Sequence, residues 1–204
     1  MVWIFYFIGS FLAMVLCYLT NPIVCLFSDE YGELHGFLKY WQTWDDSLNP
    51  RFFVVDKAPR LFRYDYDRHY EEYEGTTPEL AAVGRTRWFV KIKDPNFTFW
   101  EKVQRYFCQV LWLTRNCSYG FSFGMLGRQV TPENWVWVKM TNHFRFGYDK
   151  SQSIFTRTWC LKTDQSIWWI FRWDVFMGWK VNESFDHPIQ CMIANRALIN
   201  LNSN

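Results

Sequence analysis

The sequence predicts an α+β fold: a single N-terminal transmembrane helix, then a soluble domain with one main helix and an antiparallel β-meander. Three observations predict it. Val2 to Leu19 carries no ionisable side chain other than phenol and thiol. Trp100 to Asn116 repeats apolar residues at three- and four-residue intervals, and from Trp135 onward the period changes to two. The expected division is residues 1–27 as a transmembrane and interfacial anchor, 28–99 as a juxtamembrane segment with a charged insertion, and 100–204 as the α+β domain.

The anchor comes first. Val2 to Leu19 spans roughly 27 Å as a helix, close to the ~30 Å hydrocarbon core of a bilayer. No Lys or Arg precedes Lys39, and no small-residue pair marks a cleavage point, so a retained helix fits better than a signal peptide. The helix is expected to stop at Asn21-Pro22, because proline donates no backbone hydrogen bond and restrains the residue before it. Trp3, Tyr6 and Tyr18 near its ends, and the run Phe37 to Trp44, suit headgroup depth. All basic residues lie C-terminal to the helix, which points to a cytoplasmic body behind a single-pass anchor.

In residues 28–99, turns are expected at Tyr31-Gly32 and around Asp45 to Pro50. Arg51 to Gly75 mixes Arg60, Arg63 and Arg68 with Asp65, Asp67, Glu71, Glu72 and Glu74, and reads as a long surface loop or lid. Within it, Phe52 to Val55 suggests a short strand. Thr77-Pro78-Glu79 opens a short helix ending before Gly84, with Thr77 as N-cap and Pro78 at the first helical position. Trp88 to Lys93 alternates as a strand does.

Trp100 to Asn116 is the main helix. Its expected buried face is Trp100, Val103, Phe107, Val110, Leu111 and Thr114, with Glu101, Lys102, Arg105 and Gln109 opposite. Asn116 is placed to end the helix in the left-handed conformation, and Gly120 to reverse the chain. The meander is read as Trp135–Met140, Phe144–Tyr148, Ile154–Leu161, a long strand Ile167–Val181, and a last run from Cys191 to Leu201. Tyr148 to Ser151 and Thr163 to Gln165 serve as hairpin connections. On the long strand, Ile167, Trp169, Phe171, Trp173, Val175, Met177 and Trp179 share one face.

Composition limits the function classes. A net charge of +2, with basic residues scattered among acidic ones, argues against a nucleic-acid partner. Aromatic residues make up 22% of the chain, including 13 tryptophans, which suits cores, interfaces and membrane surfaces alike. The six cysteines show no metal-ligand spacing, and Cys108 and Cys117 lie about 13 Å apart along a helix, too far to bridge. They read as buried hydrophobes in a reducing compartment.

A search for chemistry finds weak candidates. Asp65 to Glu72 offers metal-type ligands without EF-hand spacing, and reads as a solvated charged loop. Asp45 and Asp46 are adjacent carboxylates able to tune each other's pKa, though such pairs more often cap turns. His143 stands near a strand start, where Asp174 or Asp149 would orient it as a general base. No nucleophile elbow, phosphate loop or dinucleotide fingerprint accompanies it. No catalytic residue, metal site or cofactor is therefore assigned.

Several islands carry a resemblance. Asn21-Pro22, Leu26-Phe27, Asp29 and Gly32 are followed by Trp41-Gln42-Thr43-x-Asp45, then Arg115-Asn116-x-x-Tyr119-Gly120-Phe121 with Gly127, and finally Gly178-Trp179-Lys180. In motif order this resembles a family of small proteins encoded by tailed bacteriophages and prophages, which have an N-terminal membrane segment and no established activity. The sequence departs from that pattern at Trp44, where a proline is expected, and in its long Arg51 to Phe99 insertion. The resemblance implies a phage protein at the host envelope, in the inner membrane, whose partners are the lipid bilayer and a host envelope protein. Trp41, Trp44, Asp45, Arg115, Asn116 and Tyr119 are the interaction candidates. The alternatives are a virion or assembly component, and a membrane-bound hydrolase built on His143 and nearby carboxylates.

Overall fold

The computed structural model describes residues 2–81, 85–167, 171–194 and 196–201. The fold is α+β, an apolar N-terminal helix followed by antiparallel sheets. The chain forms two compact units, residues 1–11 with 125–204 and residues 12–124, whose bounds differ from a division at 27 and 99. Helix α1, Trp3–Val24, supplies its first residues to one unit and the rest to the other.

The expected stop at Asn21-Pro22 does not occur. α1 runs through Pro22 to Val24 and continues as a 3-10 turn, Cys25–Phe27. Proline removes one helical hydrogen bond, and side chains from elsewhere in the same unit hold the last turn. The Trp41 indole N–H donates to Thr20 Oγ1 at 2.8 Å, and the Tyr106 hydroxyl donates to the Pro22 carbonyl at 2.9 Å. Trp3 and Tyr6, expected at headgroup depth, instead pack edge-on against Trp159 and Trp179 in the core of their unit.

In the 12–124 unit, the expected surface lid keeps its charged residues outside and sends several of its aromatic and apolar side chains into the core. Phe53–Lys57 forms a π-turn and Arg60–Phe62 a 3-10 turn; the short helix α2, Tyr66–His69, leads into β1, Tyr70–Gly75. Val54, Tyr66, His69 and Tyr70 are buried because the aromatic rings between the charges turn inward together. No strand forms at Phe52 to Val55. Helix α3, Pro78–Ala81, begins at Thr77 as expected, and its end near Gly84 lies outside the described residues. Strand β2, Arg87–Ile92, pairs antiparallel with β1.

Helix α4, Phe99–Arg115, opens with a reciprocal capping box between Thr98 and Glu101. Val110 and Leu111 pack against the core as expected, but most of the buried face is a different one. Cys108, Gln109, Trp112 and Leu113 are buried, whereas Trp100 is 52% and Phe107 40% exposed. Gln109 is tolerated inside because both ends of its amide are paired: it donates to Asn49 Oδ1 at 3.0 Å and accepts from Ser28 Oγ at 3.1 Å. Asn116 closes the helix at φ −106°, outside the left-handed region, which is taken two residues later by Ser118 at φ 59°.

In the other unit, β3, Arg128–Val130, is followed by β4, Trp135–Met140, β5, Phe144–Asp149, β6, Trp159–Ile167, and β7, Phe171–Gly178. Strands β8, Ile189–Cys191, and β9, Arg196–Leu201, complete it. The meander orders as β4-β5-β6-β7-β9, all antiparallel, with β3 and β8 forming a separate pair.

Two bounds differ from the sequence reading. Ile154 to Arg157 is a turn that the Asp149 carboxylate helps to organise, accepting from Ser151 N at 2.9 Å and Gln152 Nε2 at 3.0 Å. Thr163 to Gln165 lies inside β6, whose last residue, Ile167, is the register partner of Phe171 in β7, so the expected single strand Ile167–Val181 is divided between two paired strands. Of the residues expected to share one face, Trp169 lies outside the described residues, and Ile167 belongs to β6 while Phe171 and Trp173 belong to β7. Gly178 closes β7 at φ +93°, and a Cβ there would meet the Trp159 carbonyl at 2.2 Å, so a side chain is excluded twice over.

Candidate functional site

The islands at residues 41–45 and 115–121 meet in one corner of the 12–124 unit. A 3-10 turn, Gly36–Tyr40, delivers Trp41, whose ring packs edge-on against Phe121 at 4.8 Å. A Cβ on Gly120 would meet the Gln42 carbonyl at 2.3 Å and the Tyr40 carbonyl at 2.6 Å, so only glycine lets the two segments touch. Gln42 is 3% exposed and fully engaged: it accepts from Leu34 N and donates to Glu33 and to the Asp46 carbonyl. Trp44 stacks on Phe123 at 4.8 Å and donates to the Tyr119 hydroxyl.

Beside this corner lies a cleft of about 370 Å³. Strand β2 forms one wall, fixed to the opposite turn by the Trp88 N–H donating to the Asp45 carbonyl at 3.0 Å. Asp45 and Asp46 stand on that turn, and Trp112, Asn116 and Tyr119 close the cleft from the end of α4. Phe52, Thr43 and Thr86 complete the lining.

The field in the cleft is set by carboxylates. Burial, followed by the neighbouring charges of Glu72 and Asp45, pushes the Asp46 carboxyl up to about 8, against the opposing pull of the Ser47 N–H and Arg87. Burial and then Asp45 raise the Tyr119 phenol, more than Trp44 and Arg85 lower it. Arg87 is engaged by Glu33, with contacts of 2.8 and 3.1 Å. Two donors remain unpartnered at buried positions, the Arg87 Nε–H and the Trp112 indole N–H.

Of the six interaction candidates, Asp45, Asn116 and Tyr119 line the cleft. Trp44 supports it from behind, Trp41 is buried in the packing of the corner, and Arg115 turns away over the Phe53 ring at 6.0 Å. The sequence reading missed Arg87, Trp88 and Trp112, and treated Asp46 as a turn cap. Their signal was present only as a strand and a helix face, because no local spacing links residues 46, 88 and 112. Asn116 is a capping residue as well, its side-chain amide donating to the Trp112 carbonyl at 3.1 Å.

The remaining candidates are engaged elsewhere. His143 pairs with Asp164 at 2.9 Å, not with Asp149 or Asp174, and the space it faces holds no room for a water molecule. The acidic stretch Asp65 to Glu72 is consumed by structure. Asp65 caps α2, Asp67 grips Arg51 through two hydrogen bonds, and Glu72 accepts from Arg51 N. His69 is fully buried, stacked on Phe97 and bonded to the Asp94 carbonyl and Glu101. Among the described residues, no three His, Cys, Asp or Glu side chains are grouped to hold a metal ion. The six cysteines are free thiols.

Comparison with curated proteins and with solved structures gave no match. A family profile does match residues 1–202, nearly the whole chain, and the protein thus belongs to a family of unknown function, DUF7338.

Proposed function

We propose that this chain is a membrane-anchored accessory protein acting by protein or membrane interaction at a host envelope, with α1 as its anchor. The observation that carries this reading is the free face of α1. Phe5, Ile8, Leu12, Leu16, Leu19 and Ile23 recur every three or four residues, all are exposed, and the helix is long and apolar enough to cross a bilayer. Water disfavours such a stripe by roughly 25 cal/mol per Å² of apolar surface, and lipid removes that cost.

Within the 12–124 unit, Ala13, Cys17 and Val24 pack against protein, and the exposed side of that stretch is left for lipid. Helix α4 extends the surface. Tyr106, bonded to Pro22, lies edge-on to exposed Phe107, and Trp100 is exposed seven residues earlier on the same helix. A phage origin and a host envelope partner rest on the resemblance of the motif islands. The cleft beside those islands is the natural place for a specific contact.

The test is flotation of full-length protein with phospholipid vesicles at high salt. Wild type is expected to float and Leu19→Glu to remain in the dense fraction with an unchanged melting temperature, because that side chain is 74% exposed. Failure of the wild type to float, or flotation of Leu19→Glu as efficient as wild type, would count against the anchor.

A further inference from the structure

The unit formed by residues 1–11 and 125–204 carries an apolar tip that its own core does not use. We propose that the turn Lys150 to Arg157 inserts Ile154 and Phe155 into an anionic phospholipid surface, as a second membrane contact beside the start of α1. The proposal rests on the membrane reading of α1 and adds the charge of the lipid that the protein meets.

The first argument is how the turn is built. The Ser153 carbonyl accepts from Thr156 N at 3.1 Å and the two hydroxyls lie 3.0 Å apart, which leaves Ile154 and Phe155 at the central positions. Gln152 Oε1 accepts from Thr158 N at 2.7 Å and from Thr158 Oγ1 at 3.0 Å, while the Asp149 carboxylate holds Ser151 and Gln152. Central turn positions usually carry Gly, Pro, Asn, Asp or Ser. Here they carry an isoleucine that is 73% exposed and a phenylalanine that is 64% exposed. A dense set of polar bonds therefore orders a segment whose two apolar side chains stay outside the core.

The second argument is position. The Phe155 carbonyl accepts from Val2 N at 2.8 Å, which ties the tip to the first residues of α1. Trp3 and Tyr6 pack against Trp159 and Trp179, whereas Phe5 and Ile8 are exposed. The end of a helix that meets a bilayer lies at headgroup depth, where a neighbouring apolar tip reaches the acyl chains.

The third argument is charge. Residues 150–157 include Lys150 and Arg157 and no acid. Asp149, at the base, is buried and spent on the donors of the turn itself. Arg157 lies over the Tyr148 ring at 4.4 Å, which keeps its cation beside the tip. Two cations flanking an apolar pair suit anionic headgroups above acyl chains. The same cations would repel the tip of a second copy.

The experiment places the photo-crosslinker p-benzoylphenylalanine at Phe155 of the full-length protein, in vesicles of phosphatidylcholine alone or mixed with phosphatidylglycerol. The variant should melt as wild type does, because the ring it replaces is exposed. Lipid adducts are expected from position 155, with a yield about fivefold higher when phosphatidylglycerol is present, the gain from one cation near an anionic surface. Lys150→Gln should return that yield toward the level in neutral vesicles.

Lipid adducts from the same crosslinker at Leu19 but none from position 155 overturn this proposal and leave the anchor standing. Adducts from 155 that join two copies of the chain, or equal yields from the two kinds of vesicle, also overturn it. No lipid adduct from either position removes both readings.

Discussion

Helices α1 and α4 are both apolar along one stripe, yet they use it in opposite ways. In α4 the stripe that periodicity assigns to the core, Trp100 to Phe107, faces outward, and the side carrying Gln109 is buried. In α1 apolar residues occupy every side, so the sequence reads as a free span, although Cys17, Asn21 and Val24 are packed against protein. The difference teaches that an apolar stripe does not by itself say what covers it. Tertiary partners decide which side of a helix is packed against protein.

The comparison is broken most decisively at the outer face of α1. Leu19→Glu should abolish vesicle association, at least a tenfold loss in partition, since a carboxylate in hydrocarbon costs about 2.5–3.5 kcal/mol on insertion scales. On the inner face of α4, Leu113→Ala should leave vesicle association intact and cost about 3 kcal/mol of stability by opening a cavity. Denaturant titration in detergent measures it. Gln109→Ala should cost about 2 kcal/mol by the same assay, because Asn49 and Ser28 each lose a partner. A value near zero would mean that the polar side of α4 is not what the core holds.

A smaller effect depends on pH. The Asp46 carboxyl rises from 3.8 to about 8 on folding, so the folded state holds a proton that the unfolded chain has lost. Stability contributed by that proton is full below pH 3.8 and lost as pH climbs through about 8. Asp46→Asn should therefore melt above wild type at pH 8, with the gap closing toward pH 4. The smallest change is expected from Asn21→Leu. Both polar atoms of this fully buried side chain lack partners, so an apolar replacement should stabilise by about 1 kcal/mol.

What was legible in the sequence follows from local physics. The three- and four-residue repeat of α4, the start of α3 at Thr77 and Pro78, and the alternation in β2, β4 and β5 are local signals, and they locate their elements. The burial of Tyr66, His69 and Tyr70 was hidden by the charges between them, because Arg51 neutralises Asp67 only through tertiary contact. The pairing of β6 with β7 was hidden because the alternation runs on unbroken from Ile167 toward Val181. Part of the cleft was legible: Asp45, Asn116 and Tyr119 sit in short motifs. Arg87, Trp88 and Trp112 reach it only because β2 is held to the Asp45 turn and α4 buries the face that the pattern placed outside.

The central claim is that the outward apolar faces of α1 and α4 meet lipid. Its most direct test places the photo-crosslinker p-benzoylphenylalanine at Leu19, Phe107 or Leu113 of the full-length protein in phospholipid vesicles. The account predicts lipid adducts from positions 19 and 107, and adducts only within the protein from 113. Lipid adducts from 113, or none from 19, would contradict it.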